Sequence, residues 1–272
     1  MIHLDGRLVD AATARIDPTD RGFLLADGLF ETLRVYNGKP FRLEAHLARL
    51  TAGAKVLDLP MPPAGEISIA IVDTLRANRQ HDASLRITLT RGPGQRGLLP
   101  AKDPVPTVMI ASHAVVERSS APMTAHLSMI RRNEHSPASQ IKSLAYLDNI
   151  LSLREAAEAG CDEALLLNTA GRLAGGSRSN IFVVIDGALL TPPLGEGVLP
   201  GITRQTLLEL AVDAGITARE TPLSPADLDL ASEAFICNSL LEVRALTRIG
   251  RRELASGPVT EDLARRYRAL TG

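Results

Sequence analysis

The sequence predicts two α+β domains, on three observations. Its 272 residues, 45% hydrophobic and 22% charged, exceed what one core usually needs. Strand-type segments arrive in clusters, without the regular strand–helix beat of a doubly wound sheet or an eightfold barrel. No glycine fingerprint for a dinucleotide or a nucleoside triphosphate follows any strand, and no internal repeat is visible.

The elements follow in order. LDGRLVD near the start reads as a short strand pair around a turn, and LFETLRVYNGKPF as a strand, an Asn37-Gly38 turn and a return strand. From Leu43 to about Leu57, apolar residues at Leu43, Leu47, Leu50, Ala54 and Leu57 form a helical stripe. Glu66 to Asn78 repeats the pattern with Ile69, Val72 and Leu75 inward and Asp73 and Arg76 on the wet face. Strands are expected at Leu85–Leu89 and Val108–Ala111. Turn composition from Ser112 to Thr124 marks a joint between the domains. Beyond it come a strand near Ala125–Ile130, a helix from about Leu144 to Ala159, and strands at Glu163–Leu167 and Asn180–Ile185. A further helix opens after Pro200-Gly201 and runs to about Ala214.

Composition removes several classes of function. Thirty Lys plus Arg against 31 Asp plus Glu leave a formal charge of -1, so no global basic field holds nucleic acid or an anionic membrane. Aromatic content of 3% without Trp argues against a stacking platform for single strands. No apolar run approaches the roughly 18 residues of a membrane span, and the opening MIHLDGRLVD lacks a signal core, so a cytoplasmic protein is expected. Cys161 and Cys237 are too few for a disulfide framework or a four-ligand zinc site; no metal is expected, and both read as buried, inert thiols.

Four features could carry chemistry. Lys142 lies in QIKSLAYLDN between Ile141 and Leu144, and an amine in apolar surroundings gives up its proton more readily, as a carbonyl-trapping lysine must. A lysine snorkelling at a helix start is the simpler local account. GRLAGGSRSNIFVV puts small residues between two strands, where loop amides can meet an anion or simply turn the chain. Pro200-Gly201 precedes a helix whose first amides, near Ile202 and Thr203, could cup a phosphate, although Pro and Gly before a helix are common punctuation. An apolar strand in EAFICNSLLEVRAL ends in Asn238 and Ser239, polar groups delivered to one place or to a plain turn.

Together, DRGFLLADGLFETLRVYNG, HLARL, TRGPGQRG, IKSLAYLDN, GGSRSNIF, GVLPGITR and ICNSL resemble, in order and spacing, the class IV pyridoxal-phosphate enzymes. That group includes branched-chain and D-amino-acid aminotransferases and 4-amino-4-deoxychorismate lyases. The resemblance spans nearly the whole chain and implies the two-domain fold type IV architecture, with domains at residues 1–113 and 122–272 joined by a linker at 114–121, pyridoxal 5'-phosphate between them and Lys142 carried by the carboxy-terminal one. It also implies a homodimer in which a neighbour's loop helps close the site, acting on a small amine or amino acid. By the same resemblance Lys142 forms the internal aldimine and shuttles the substrate proton, while Arg49, the Ile202 and Thr203 amides and the Ser239 hydroxyl bind the cofactor phosphate. Tyr146 meets the phenolic oxygen, Arg96 meets substrate carboxylates, and Phe30 and Asn238 line the pocket.

One departure matters. The family usually carries a glutamate where this chain has Gly175, and that carboxylate keeps the pyridine nitrogen protonated. Its loss hurts a transaminase more than the lyase, whose product gains aromaticity as pyruvate leaves. TRGPGQRG and ICNSL also look more like the lyase, an enzyme of folate biosynthesis. Against this, Glu242-Val243 resembles the transaminases, Leu98 replaces an aromatic common in lyases, and Ala245 replaces a proline common in both. The resemblance therefore implies aminodeoxychorismate lyase, with a D-amino-acid or branched-chain aminotransferase as the alternative and a catalytically silent cofactor binder as a third reading.

Overall fold

The computed structural model describes residues 1–115 and 121–271 and divides into two compact units, Met1–Glu117 with Ile141–Ala145, and Arg118–Gln140 with Tyr146–Gly272. Each is a mixed helix-and-sheet unit, as expected. The joint expected at 114–121 falls mostly on 116–120, outside the described residues.

The first unit contains β1 (Ile2–Leu4), β2 (Arg7–Val9), α1 (Arg21–Leu25), β3 (Gly28–Tyr36), β4 (Lys39–Pro40), α2 (Leu43–Val56), α3 (Ala64–Ala77), β5 (Ala83–Thr90) and β6 (Thr107–Ala114). Its strands form one sheet in the order β2-β1-β6-β5-β3-β4. Asn37 and Gly38 take φ of 49° and 76°, the positive pair that matches the twist of a two-residue hairpin between β3 and β4. Side chains alternate across the sheet. Leu29, Leu33 and Val35 of β3, Leu85, Ile87 and Leu89 of β5 and Ile110 of β6 pack on Leu47, Leu50 and Ala54 of α2 and Ile67, Ile71 and Leu75 of α3. In α3 the buried stripe differs from expectation: Ile69 and Val72 are 64% and 48% exposed, and Ala70 and Thr74 face inward instead. Thr74 can do so because its hydroxyl donates to the Ala70 carbonyl at 2.7 Å.

The second unit contains β7 (Met123–Arg132), α4 (Pro137–Gln140), α5 (Leu147–Glu158), β8 (Glu163–Asn168), β9 (Leu173–Gly176), β10 (Asn180–Ile185), β11 (Ala188–Thr191), α6 (Ile202–Asp213) and β12 (Ala218–Glu220). It closes with α7 (Pro225–Leu230), β13 (Glu233–Asn238), β14 (Glu242–Ile249), β15 (Arg252–Glu253) and α8 (Pro258–Thr271). The sheet runs β12-β11-β10-β13-β14-β7-β8-β9, with β15 beside β14. Leu165, Leu167, Ile181, Val183, Ile236 and Leu246 form the centre of its core. Both cysteines are buried free thiols, and burial pushes the Cys237 thiol up to about 12.

The helix expected from Leu144 starts three residues later, at Leu147. The reason is extended pairing: the Phe30 amide donates to the Lys142 carbonyl at 2.9 Å, the Leu144 amide donates to the Gly28 carbonyl at 3.0 Å, and Leu29 and Ser143 form an antiparallel bridge. Ile141 joins the first core. The segment that carries Lys142 therefore belongs to the first unit, against the expectation that the carboxy-terminal domain holds it.

Candidate active site

The extended pairing around Lys142 fixes where its amine goes. Ile141 enters the core, so the next residue takes the opposite face of the sheet, where even-numbered side chains of β3 and β5 stand. There the Lys142 Nζ lies 4.2 Å from the centre of the Phe30 ring, and the Arg86 guanidinium carbon lies 4.0 Å from the same centre. Phe30 is 6% exposed, so an amine and a guanidinium share one buried aromatic ring. Arg86 reaches it because β3 and β5 pair Phe30 with Thr88 and Thr32 with Arg86, a diagonal step on one face.

On the other side of the sheet β3 presents Glu31, fully buried, to α2. Its carboxylate accepts from Arg49 Nε at 2.8 Å, Arg49 Nη2 at 2.7 Å and His46 Nδ1 at 2.7 Å. Burial pushes this carboxyl up, but the charge and hydrogen bonds of Arg49, with the bond from His46, outweigh it and hold Glu31 at about 2. Burial likewise pushes His46 below its ordinary value, ahead of the opposing pull of Glu31. A neutral His46 must carry its proton on Nδ1 to donate to a carboxylate. Two of the three guanidinium nitrogens of Arg49 are thus aimed by a buried anion.

The loop after β5 is set by a second ion cluster. Asp27 accepts from Arg21 Nε at 2.9 Å and Arg91 Nε at 2.8 Å. Arg21 also donates to the carbonyls of Gly97 and Leu98 at 2.9 and 2.7 Å, and Arg91 to those of Asp58 and Leu57 at 2.8 and 2.7 Å. Arg96 is exposed on the loop that Arg21 holds.

In the second unit the glycine-rich turn after β9 already holds an anion of the protein itself. Glu163, fully buried, accepts from the hydroxyls of Ser177 and Ser179 and from the amides of Ala164 and Ser177. Gly175 pairs with Leu166 on β8 and has φ of +109°, a backbone conformation that L side chains rarely adopt. At the start of α6, Gly201 is the N-cap, Ile202 and Thr203 open the helix, and among the described residues no side chain caps it. Thr203 and Arg204 are each 3% exposed and Ile202 is half-buried, so the helix starts in a largely buried setting, with the positive end of its dipole there. Tyr146 is half-buried at the N-cap of α5. Asn238 is drawn into the turn after β13: its Oδ1 accepts from the amides of Leu240 and Leu241 at 2.8 and 2.6 Å, and its Nδ2 donates to the Arg178 carbonyl at 3.0 Å. Ser239 follows, half-buried, in the same turn.

Within the first unit the structure brings Lys142 and Phe30 together and places Arg49 on Glu31; within the second it sets Ile202 and Thr203 at one helix start. Glu31, His46, Arg86, Glu163 and Asn180 were not anticipated. An acid inside an apolar strand and two polar residues three apart on α2 were signals for the Glu31 cluster, and strand alternation was the signal for Arg86.

The amino-transferase class IV model matches residues 28–249. A putative branched-chain-amino-acid aminotransferase of Methanocaldococcus jannaschii is 36% identical over 99% of this chain and 96% of its own length. An aminodeoxychorismate lyase of Bacillus subtilis is 31% identical over 92% and 86%. The structure of a branched-chain amino acid aminotransferase from Thermobaculum terrenum in its PLP form superposes with a TM-score of 0.90 at 30% identity, over 99% of this chain and 93% of that one. By its matched model, its sequence and its fold, the chain belongs to the class IV amino-transferase family of enzymes.

Proposed function

We propose that the chain is a pyridoxal-phosphate enzyme that converts 4-amino-4-deoxychorismate into p-aminobenzoate and pyruvate. The donor set suits the cofactor: an amine beside a buried ring, a guanidinium aimed by a buried carboxylate, and a shielded helix start that glycine precedes. When bound, pyridoxal phosphate supplies a carbonyl that condenses with amines and a ring that accepts electrons. Lys142 would hold that carbonyl and move the proton at its Nζ. Arg49, the Ile202 and Thr203 amides and the Ser239 hydroxyl would hold the phosphate, and Tyr146 the phenolic oxygen. Arg86, beside Lys142 on the Phe30 ring, would join Arg96 in receiving substrate carboxylates. Phe30 would wall the pocket, with Asn238 shaping it through its turn.

Gly175 carries the choice of reaction. A residue without a side chain cannot supply the carboxylate that keeps a pyridine nitrogen protonated, and φ of +109° marks a backbone settled for glycine. Elimination of pyruvate is driven by aromatisation and depends less on that carboxylate. Transamination is the second reading, favoured by the 36% identity to the Methanocaldococcus aminotransferase. The test is to incubate the purified protein with aminodeoxychorismate, and separately with D-alanine or L-leucine plus 2-oxoglutarate. Release of p-aminobenzoate supports the lyase, a new keto acid alone supports the transaminase, and neither, in a protein that retains cofactor, indicates a silent homologue. We also expect a homodimer, with a mass by light scattering twice that of the chain.

A further inference from the structure

We infer that Asn180 is the positioning residue for the phosphate-binding turn, an inference that rests on the cofactor reading above. Asn180 opens β10, pairs with Cys237 of β13 and is 8% exposed, so its backbone is fixed by the sheet. Its Nδ2 donates to the Leu199 carbonyl at 3.0 Å, which ties down the stretch leading into α6. The carbonyl end of the same amide lies against Gly201: a Cβ added there would overlap Asn180 Oδ1 and stand 3.1 Å from Asn180 Cγ.

Gly201 has φ of -70° and ψ of 133°, torsions open to any residue. Its glycine therefore answers the close approach of Asn180, not a backbone constraint. The far side of the turn is pinned too. Arg204 in the first turn of α6 is 3% exposed and bonds the Pro192 carbonyl at 3.1 Å and Glu220 at 2.7 Å. The start of α6 is thus clamped between Asn180 and Arg204, with the amides of Ile202 and Thr203 in the clamped segment. The role assigned to Asn180 is to hold those amides where a phosphate can use them, without touching the cofactor itself.

The test compares two ligands that differ only by the phosphate. Dissociation constants for pyridoxal phosphate and for pyridoxal are measured by absorbance titration on the apoprotein, for the wild type, Asn180→Ala and Asn180→Asp. Asn180→Ala should weaken pyridoxal phosphate about tenfold or more, the loss expected when charge-assisted bonds are misaimed. Asn180→Asp should weaken it further by adding negative charge. Pyridoxal affinity should stay within about twofold in both, because the tie acts through the phosphate alone. Should Asn180→Ala fail to fold, Gly201→Ala gives the same reading, since its Cβ must displace Asn180. Equal losses for both ligands, or no loss for either, overturn the inference and leave the cofactor reading standing. A wild-type chain that binds neither ligand overturns the cofactor reading and this inference with it.

Discussion

The two units deploy their polar groups by different means. In the first, charge is carried by side chains and paired within the unit: Arg49 bonds Glu31, and burial holds His46 below its ordinary value beside them. In the second, the donors proposed for a phosphate are main-chain amides at the start of α6, behind Gly201 and a stretch that Asn180 bonds at the Leu199 carbonyl. A paired guanidinium contributes direction more than net charge, whereas helix-start amides contribute a fixed dipole that no titration removes. The first arrangement should therefore respond strongly to pH and to loss of one partner, and the second to backbone fit.

Arg49→Ala should break the first arrangement most. It leaves Glu31 buried with only His46, and an uncompensated buried charge destabilises by about 3–5 kcal/mol. Cofactor retention should also fall roughly tenfold or more, because about 1.4 kcal/mol is a decade in affinity. Thermal unfolding of the apoprotein and cofactor titration read the two losses separately. Unchanged stability would show that the Glu31 pair is not what holds α2 on β3.

Acid should separate the units next. The Glu31 carboxyl titrates at about 2 in the folded chain against an ordinary 4.5, so its stabilisation is complete above about pH 4.5 and is lost as pH falls toward 2. On that shift it is worth on the order of 3 kcal/mol. His46, also lowered, acts in the same direction below its ordinary value of 6.5. Glu31→Gln should be less stable than the wild type near neutrality, and the gap should close as pH drops toward 2. A gap that does not change with pH would contradict the assignment of Glu31 as the anion.

The smallest effect is expected in the second unit, at Gly175. Gly175→Glu must take φ near +109° or shift the turn, and its Cβ would stand 3.1 Å from the Ser179 carbonyl oxygen, so a loss of about 1–3 kcal/mol is expected. If the variant retains cofactor, its transaminase rate should rise relative to its lyase rate. A ratio equal to that of the wild type would show that the missing carboxylate does not set the reaction.

Local pattern reached part of this and long-range pairing hid the rest. The Asn37-Gly38 hairpin, the α2 stripe and the start of α6 after Pro200-Gly201 were legible because each is specified within a few residues. α8 was not: its first amides, at Val259 and Thr260, are capped by Glu233 from a strand more than twenty residues earlier. α3 offered two apolar stripes, and only packing chose Ile67, Ile71 and Leu75 over Ile69 and Val72. Lys142 is legible in the sequence, but the late start of the helix after it is not, since the partner that holds Lys142 and Leu144 extended, Gly28–Phe30, is more than a hundred residues away. Glu163 was missed for the same reason: its serine partners lie 14 and 16 residues on and shape a turn that resembled an open anion cradle.

The proposed cofactor-holding amine is Lys142, beside the Phe30 ring. Purified protein incubated with pyridoxal phosphate, reduced with borohydride and digested should yield one phosphopyridoxyl adduct, on the peptide containing Lys142, with loss of the visible absorbance band. An adduct on any other lysine, or none in protein that has bound the cofactor, would contradict it.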